Sequence, residues 1–489
     1  MSPHLWRCRA MGRVSIAAAL IGMLAVSQPG QAAEFTCASG GVACLIKAMR
    51  EANANGEANT ITLEAGIYPL TTVDNNTDGS NGLPSITSPL SLQGAGADAT
   101  VIERAAGTSA FRLVHVAATG ALTLEGLTLR GGMARSGPRL EPGGGLFNNG
   151  GAVALTRTIL TGNVAGGGGA LANHGGTILL TQALVARNEA LSPTNGGGLL
   201  NTGTLILSEM TLANNRAENG GGLATSGTAL VTNTTVTDNE AAVGAGIFQS
   251  DGTLTIVTTT LARNHAVVEG GGLFGRMVTL LNATLTDNSG GRGGGVAGSA
   301  VLLNTLLARN TSMDLWSLGL RSPDCGGRVI SLGTNLLGDP TGCTIILRAA
   351  DRTGDLGAGE FTSDGPLGLG HVPLLRDSPA VDAGNPAFCP PTDQLGRSRV
   401  GVCDIGAVEF LPPSPPHQAV ALDIGPRTFL IPPRRPPSRS PNNDYLVKIL
   451  KGEPWPPTLS HAPEPPPSKR FPDNDCLLKT LKGEPCSDN

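Results

Sequence analysis

An asparagine returns about every two dozen residues through the middle of this chain, and no other feature limits its fold as tightly. The positions are Asn163, Asn188, Asn215, Asn239, Asn264, Asn288 and Asn310, so subtraction of neighbours gives spacings of 25, 27, 24, 25, 24 and 22. A glycine-rich turn keeps the same beat, at Gly143-Gly144-Gly145, Gly167-Gly168-Gly169, Gly196-Gly197-Gly198, Gly220-Gly221-Gly222, Gly244-Ala245-Gly246, Gly270-Gly271-Gly272 and Gly293-Gly294-Gly295. A period of that length fits one solenoid coil of three short strands and three turns. One coil cannot bury its apolar face alone, but each coil covers the next.

The residues between the landmarks read as strands. Three positions before the asparagines stand Leu160, Val185, Leu212, Val236, Leu261, Leu285 and Leu307. Eight before stand Leu155, Leu180, Leu207, Val231, Ile256, Leu280 and Leu302, and ten before stand Val153, Ile178, Leu205, Ala229, Leu254, Val278 and Ala300. The ten-and-eight pair alternates with period two, the mark of a strand with one buried face. No helix-period stripe competes. The fold expected is all-β: a right-handed parallel β-helix whose seven asparagines form one ladder, each amide bonding its copies above and below. The residue before each asparagine alternates in sign from Asp238 through Arg263 and Asp287 to Arg309. That alternation suits cross-coil pairing and cancels the field a charged binding stripe needs.

Composition agrees with a solenoid. Of 489 residues 69 are glycine, while aromatics are 3% and charged residues 15%. The formal net charge of −4 leaves no footprint for nucleic acid. Residues 1–33 read as a signal peptide: Arg7, Arg9 and Arg13 precede a short apolar run, and Gly30-Gln31-Ala32 offers small residues for cleavage. The run is too short to span a bilayer, so no transmembrane helix is expected in the mature chain, which should be secreted or held at a bacterial cell surface. Eight cysteines follow the signal, as near neighbours: Cys37 with Cys44, Cys325 with Cys343, Cys389 with Cys403 and Cys476 with Cys486. In an exported chain this suggests local disulfides, with the connectivity open.

Around the regular repeats of residues 143–310, residues 34–142 read as less regular coils. They include an amphipathic helix, Cys44 to Asn53, expected to cap the open end of the stack. Residues 311–410 lose the period, and from Leu411 to Asn489 the chain is proline-rich and reads as an extended or disordered tail. The tail carries a duplication, Asn442 to Trp455 and Asp473 to Cys486, which reads as a short docking motif or as local duplication alone.

Three stretches resemble known exported proteins. Cys44 to Asn53, followed by Thr60 to Tyr68 and Gly82 to Ile86, resembles the CSLREA-type N-terminal segment of exported β-helix proteins. Ser378 to Asn385, Cys389-Pro390, Asp393 to Arg397 and Cys403 to Phe410 are similar to the choice-of-anchor Q domain. The repeats between them resemble those of polymorphic outer-membrane-protein-like β-helices. The resemblance implies export and surface residence, and it implies no reaction. Leu395 stands where that family usually has arginine, which implies one surface contact fewer.

No complete catalytic site is legible. Asp238, Asp251, Asp287, Glu189, Glu209, Glu218, Glu240 and Glu269 fall in different registers, and His174 and His265 read as solvated turn residues of separate coils. The one metal candidate is a calcium-like loop, with Asp74, Asn76 and Asp78 at alternate positions before Gly79; Ser85 stands where an EF-hand requires glutamate. The function expected is a structural or adhesive surface β-helix whose ligand is a surface component or a polysaccharide. The alternatives are a polysaccharide-active lyase or glycosidase and a module that recruits a partner through its tail.

Overall fold

The computed structural model describes residues 32–412 apart from 137–138, 315–318, 322–323 and 366–368. It is a parallel β-solenoid of about 11 turns. One coil shows the plan: strands Leu171–His174 and Thr177–Thr181, then Leu184–Ala186, then Glu189–Ala190. Each strand pairs in parallel with its counterpart one period away, for example Ile178 with Leu205 and Leu180 with Leu207. In the coils from Leu146 to Val257 the first two strands join a 19-stranded sheet and the third strands join a 12-stranded sheet. The inward residues Ile178, Leu180 and Val185 are fully buried in one continuous core. Helix Val42–Asn55 lays Leu45, Ala48, Met49 and Ala52 on the first coils, where the amphipathic stretch was expected. Upstream, strands Asn59–Leu63, Pro89–Gly94 and Ala121–Glu125 pair in parallel and carry the stack through the less regular coils.

The asparagines stack with buried side chains. Each Nδ2 donates to the next Oδ1, from Asn163 to Asn188 (3.1 Å), Asn188 to Asn215 (3.0 Å) and onward to Asn288 and Asn310 (2.9 Å). The same Oδ1 accepts the backbone amide of the preceding asparagine, as Asn239 does from Asn215 at 3.0 Å. The residues just before them, among them Arg187, Asn214, Asp238 and Arg263, hold φ between 55° and 59°, because the turn into the ladder is left-handed. Arg263 bonds Asp238 and Arg309 bonds Asp287, both at 2.7 Å, so the alternating charges pair across coils. The turn glycines answer a close approach: a Cβ on Gly222 would lie 2.5 Å from the carbonyl oxygen of Gly246.

The ladder ends in a residue the period did not mark. Asp324 Oδ1 accepts both the amide and Nδ2 of Asn310 at 2.9 Å, and its Oδ2 accepts the Asp339 amide at 2.7 Å. An acceptor-only side chain suits the last rung, since nothing above needs a donor. Burial pushes this carboxyl up to about 6. Unfolded, it titrates near the ordinary value of about 4, so the folded state binds the extra proton between those values. Stability from this group therefore falls as pH rises from about 4 to about 6 and is level above. Asp324→Asn keeps an acceptor and removes that slope. Urea midpoints at intervals from pH 4 to 7 check this, and identical slopes for both proteins would refute it.

Beyond Asn310 the stack continues through Cys325–Ser331, Leu336–Leu337, Thr344–Ile346 and Arg352–Thr353. The chain then leaves the stack and runs back along the outer face of the 12-stranded sheet. Gln394 is buried against it, donating to Thr235 Oγ1 (3.0 Å) and the Gly370 carbonyl (2.9 Å) and accepting from Thr260 Oγ1 (2.5 Å). Ala407 donates to Thr284 Oγ1 at 2.9 Å. Leu395, at the position where the resembled family usually has arginine, is 6% exposed and packs with Leu369 and Val408.

Cys37–Cys44, Cys325–Cys343 and Cys389–Cys403 are disulfides, with Cα separations of 5.7, 5.2 and 6.2 Å. The pair Cys476 and Cys486, the duplicated tail motif and residues 1–31 of the signal segment lie outside the described residues. No described helix is long and apolar enough to cross a membrane.

Candidate functional site

Apart from the asparagine ladder, a cluster of buried polar groups that opens onto a cleft lies among the early coils, in a run that reads as ordinary strand. In Phe111-Arg112-Leu113-Val114-His115-Val116 the apolar residues face the core and pin two polar side chains beneath a loop. That loop, residues 74–82, is stitched internally. Asn75 Oδ1 accepts from Asn81 Nδ2 (2.8 Å), the Thr77 amide (3.1 Å) and Ser85 Oγ (2.9 Å). Its tip turns at Asp78, with φ of 53°, and at Gly79.

Arg112 holds the tip from below with a side chain that is 0% exposed. Nη1 donates to the Asp78 carbonyl (2.8 Å) and Asn81 Oδ1 (3.1 Å), Nε donates to the Pro142 carbonyl (3.2 Å), and Nη2 lies 3.5 Å from Glu141 Oε2. The guanidinium also sits 5.0 Å from the ring centre of Phe147. Burial lowers its pKa to about 10, with Glu141 and then Asp78 opposing the shift, so it stays a cation at neutral pH.

His115 is equally enclosed. Its Nδ1 meets Ser85 Oγ at 2.9 Å, and Nε2 lies 3.2 Å from Asp78 Oδ2. Burial and the nearby Arg112 charge push its pKa below the usual imidazole value, which favours the neutral ring. Asn149 Nδ2 donates to the same Asp78 oxygen at 2.9 Å. His115 and Phe147 occupy one outward column, Asn149 and His174 the next, because strands Val114–Val116, Leu146–Asn149 and Leu171–His174 pair in register. The result is a cleft of about 630 Å³, lined among others by Asn76, Asp78, Ser80, Arg139, Asn149 and His174.

The structure disperses the calcium candidate. Asp74 pairs with Arg50 at 2.6 Å, Asn76 accepts from Ser80 Oγ at 3.2 Å, and Asp78 turns to Asn149 and His115. Three oxygens aimed at three partners do not make a coordination shell. Among the described residues no group of three His, Cys, Asp or Glu is placed to hold a metal. Ser85, at the twelfth position of that loop, serves His115 and Asn75 instead. His174 is exposed at the rim of the cleft, while His265 bonds Ser289 Oγ at 2.8 Å on a distant coil. Sequence reasoning passed over Arg112, His115, Glu141, Phe147 and Asn149. The available signal was a charged and an imidazole side chain set within an apolar strand run, where burial demands partners.

Neither a protein-family model nor a curated protein matches the sequence. Among solved structures, the chain is similar to the A-module of the mannuronan C-5 epimerase AlgE4 from Azotobacter vinelandii, at 14% identity over 65% of this chain and 97% of that one, with a TM-score of 0.33. It is also similar to the PL6 family alginate lyase AlyGC, at 12% identity over 78% of this chain and 59% of that one, with a TM-score of 0.23. Likeness at this level says nothing about the chemistry of the cleft.

Proposed function

We propose that this protein is an exported, surface-acting β-helix that binds a carbohydrate in the cleft above Arg112 and His115 without transforming it. The observation that carries this reading is the way the buried pair presents the cleft wall. Arg112 and His115 are consumed in fixing the loop tip, and what faces the opening is a mixed set of acceptors and donors: Asp78, Asn76, Ser80, Arg139, Asn149 and His174. A polyhydroxylated ligand matches such a set, since each of its hydroxyls both donates and accepts. Hydrolysis of a glycosidic bond ordinarily needs two carboxyl groups free to act. Here Glu141 is engaged by Arg112 and the Ser80 amide, which leaves Asp78. The three disulfides support an oxidising compartment, in line with export.

Calorimetric titration with a panel of soluble oligosaccharides tests the reading. At least one should bind, and Asp78→Ala should weaken it about 10- to 100-fold, the loss of a charge-assisted hydrogen bond. His174→Ala, at the exposed rim, should weaken it less. Release of reducing ends or unsaturated products would replace this reading with a polysaccharide-active enzyme. Equal affinity in wild type and Asp78→Ala would remove the cleft as the binding site.

A further inference from the structure

The second strand of each coil presents a different surface, one bend away from the cleft. Its inward residues alternate with three outward columns that run the length of the rod. The first holds Thr177, Thr204, Thr228 and Thr253, joined rung to rung and all exposed. The third holds Thr156, Thr181, Ser208 and Thr232, each half-buried. Between these hydroxyl columns runs an aliphatic one, Leu179, Ile206 and Leu230. Toward the N-terminal coils the middle column shrinks to Thr60, Ser91, Thr123 and Ala154, and a groove of about 330 Å³ opens there. From Thr60 to Thr255 this middle column spans eight rungs, roughly 34 Å at about 4.8 Å per step.

We propose that this face is a track for a neutral polysaccharide strand lying parallel to the solenoid axis. Charge selects the ligand class. From Ala152 to Val257 the three columns hold no ionisable side chain, so a polyanion finds no countercharge on them. Both margins carry a hydroxyl at three successive rungs, Thr177 with Thr181, Thr204 with Ser208 and Thr228 with Thr232, and at least one margin does at the flanking rungs of Thr156 and Thr253, which suits a polymer with hydroxyls along its edges. The aliphatic column between them suits the C–H faces of its rings. A second copy of this chain fits less well. Of the central aliphatics only Leu179 is exposed, at 39%, while Ile206 and Leu230 are half-buried, which leaves little apolar area for a stable dimer. The track shares the carbohydrate class proposed for the cleft but uses separate residues, so either can fail alone.

Retention of the full-length protein on amorphous cellulose, chitin and a neutral mannan tests the track, with calcium alginate as the charged control. Retention is expected on at least one neutral polymer and not on alginate. Leu230→Lys and Thr204→Glu, both outward-facing, should cut retention at least tenfold, while thermal unfolding and oligosaccharide titration at the cleft stay as in wild type. Retention on none of the neutral polymers would overturn the proposal. Variants retained like wild type would also overturn it, as would a concentration-dependent dimer in sedimentation that these substitutions abolish.

Discussion

Asn239→Ala is expected to cost about 3–5 kcal/mol of unfolding free energy, within the range for breaking a buried hydrogen-bond network. Asn239 Oδ1 accepts the Asn215 amide and Nδ2, both at 3.0 Å, and its own Nδ2 donates to the Leu212 carbonyl at 3.0 Å and to Asn264 Oδ1 at 2.9 Å. Truncation orphans two donors and loosens one acceptor on the coil of Asn215, and loosens a second acceptor on the coil of Asn264, in an interior closed to water. The effect should exceed that of an ordinary core truncation of similar size, because every lost bond leaves a polar group behind. Equilibrium denaturation checks it, with Thr204→Ala on the exposed face as a control expected within about 0.5 kcal/mol of wild type. A loss below about 1 kcal/mol for Asn239→Ala would mean that neighbouring rungs close over the gap and that the ladder specifies register more than it stabilises.

Arg112→Met should destabilise by about 3–5 kcal/mol, the range for removing one partner of a buried ion pair. Methionine fills much of the volume but leaves the carbonyls of Asp78 and Pro142 without the guanidinium donors and the carboxylate of Glu141 without its cation, with only the Ser80 amide still donating to it. The added substitution Glu141→Gln should recover part of the loss, since it removes the stranded charge. Hydrogen exchange gives the local readout: amides in residues 74–82 should lose protection in Arg112→Met while those of the central coils keep theirs. Unchanged protection in the loop would show that its internal asparagine bonds suffice and that Arg112 is not what holds the cleft in shape.

Local periodicity determined a great deal about this protein. The asparagine spacing and the ten, eight and three offsets placed Ile178, Leu180, Val185 and their copies inside, because a strand's two-residue alternation survives in sequence. The helix over the first coils was legible from its own apolar stripe. A second polar ladder was equally periodic and went unmarked: Asn148 to Asn173 at 2.9 Å, then Asn173 to Asn201 at 2.8 Å. Its third link ends on Thr225, so residue identity breaks where geometry does not. The cleft was beyond sequence reach for a different reason. Asp78, Arg112, Glu141 and Asn149 come from coils and loops of different length, and nothing in their separations along the chain repeats. Gln394 against Thr235 and Thr260 is the same case at a separation above a hundred residues. Periodic neighbours are set by the pleat and the coil length, which the sequence carries openly. Contacts between a loop and a rung, or between a returning segment and a sheet face, depend on where irregular backbone lands, and only the folded chain decides that.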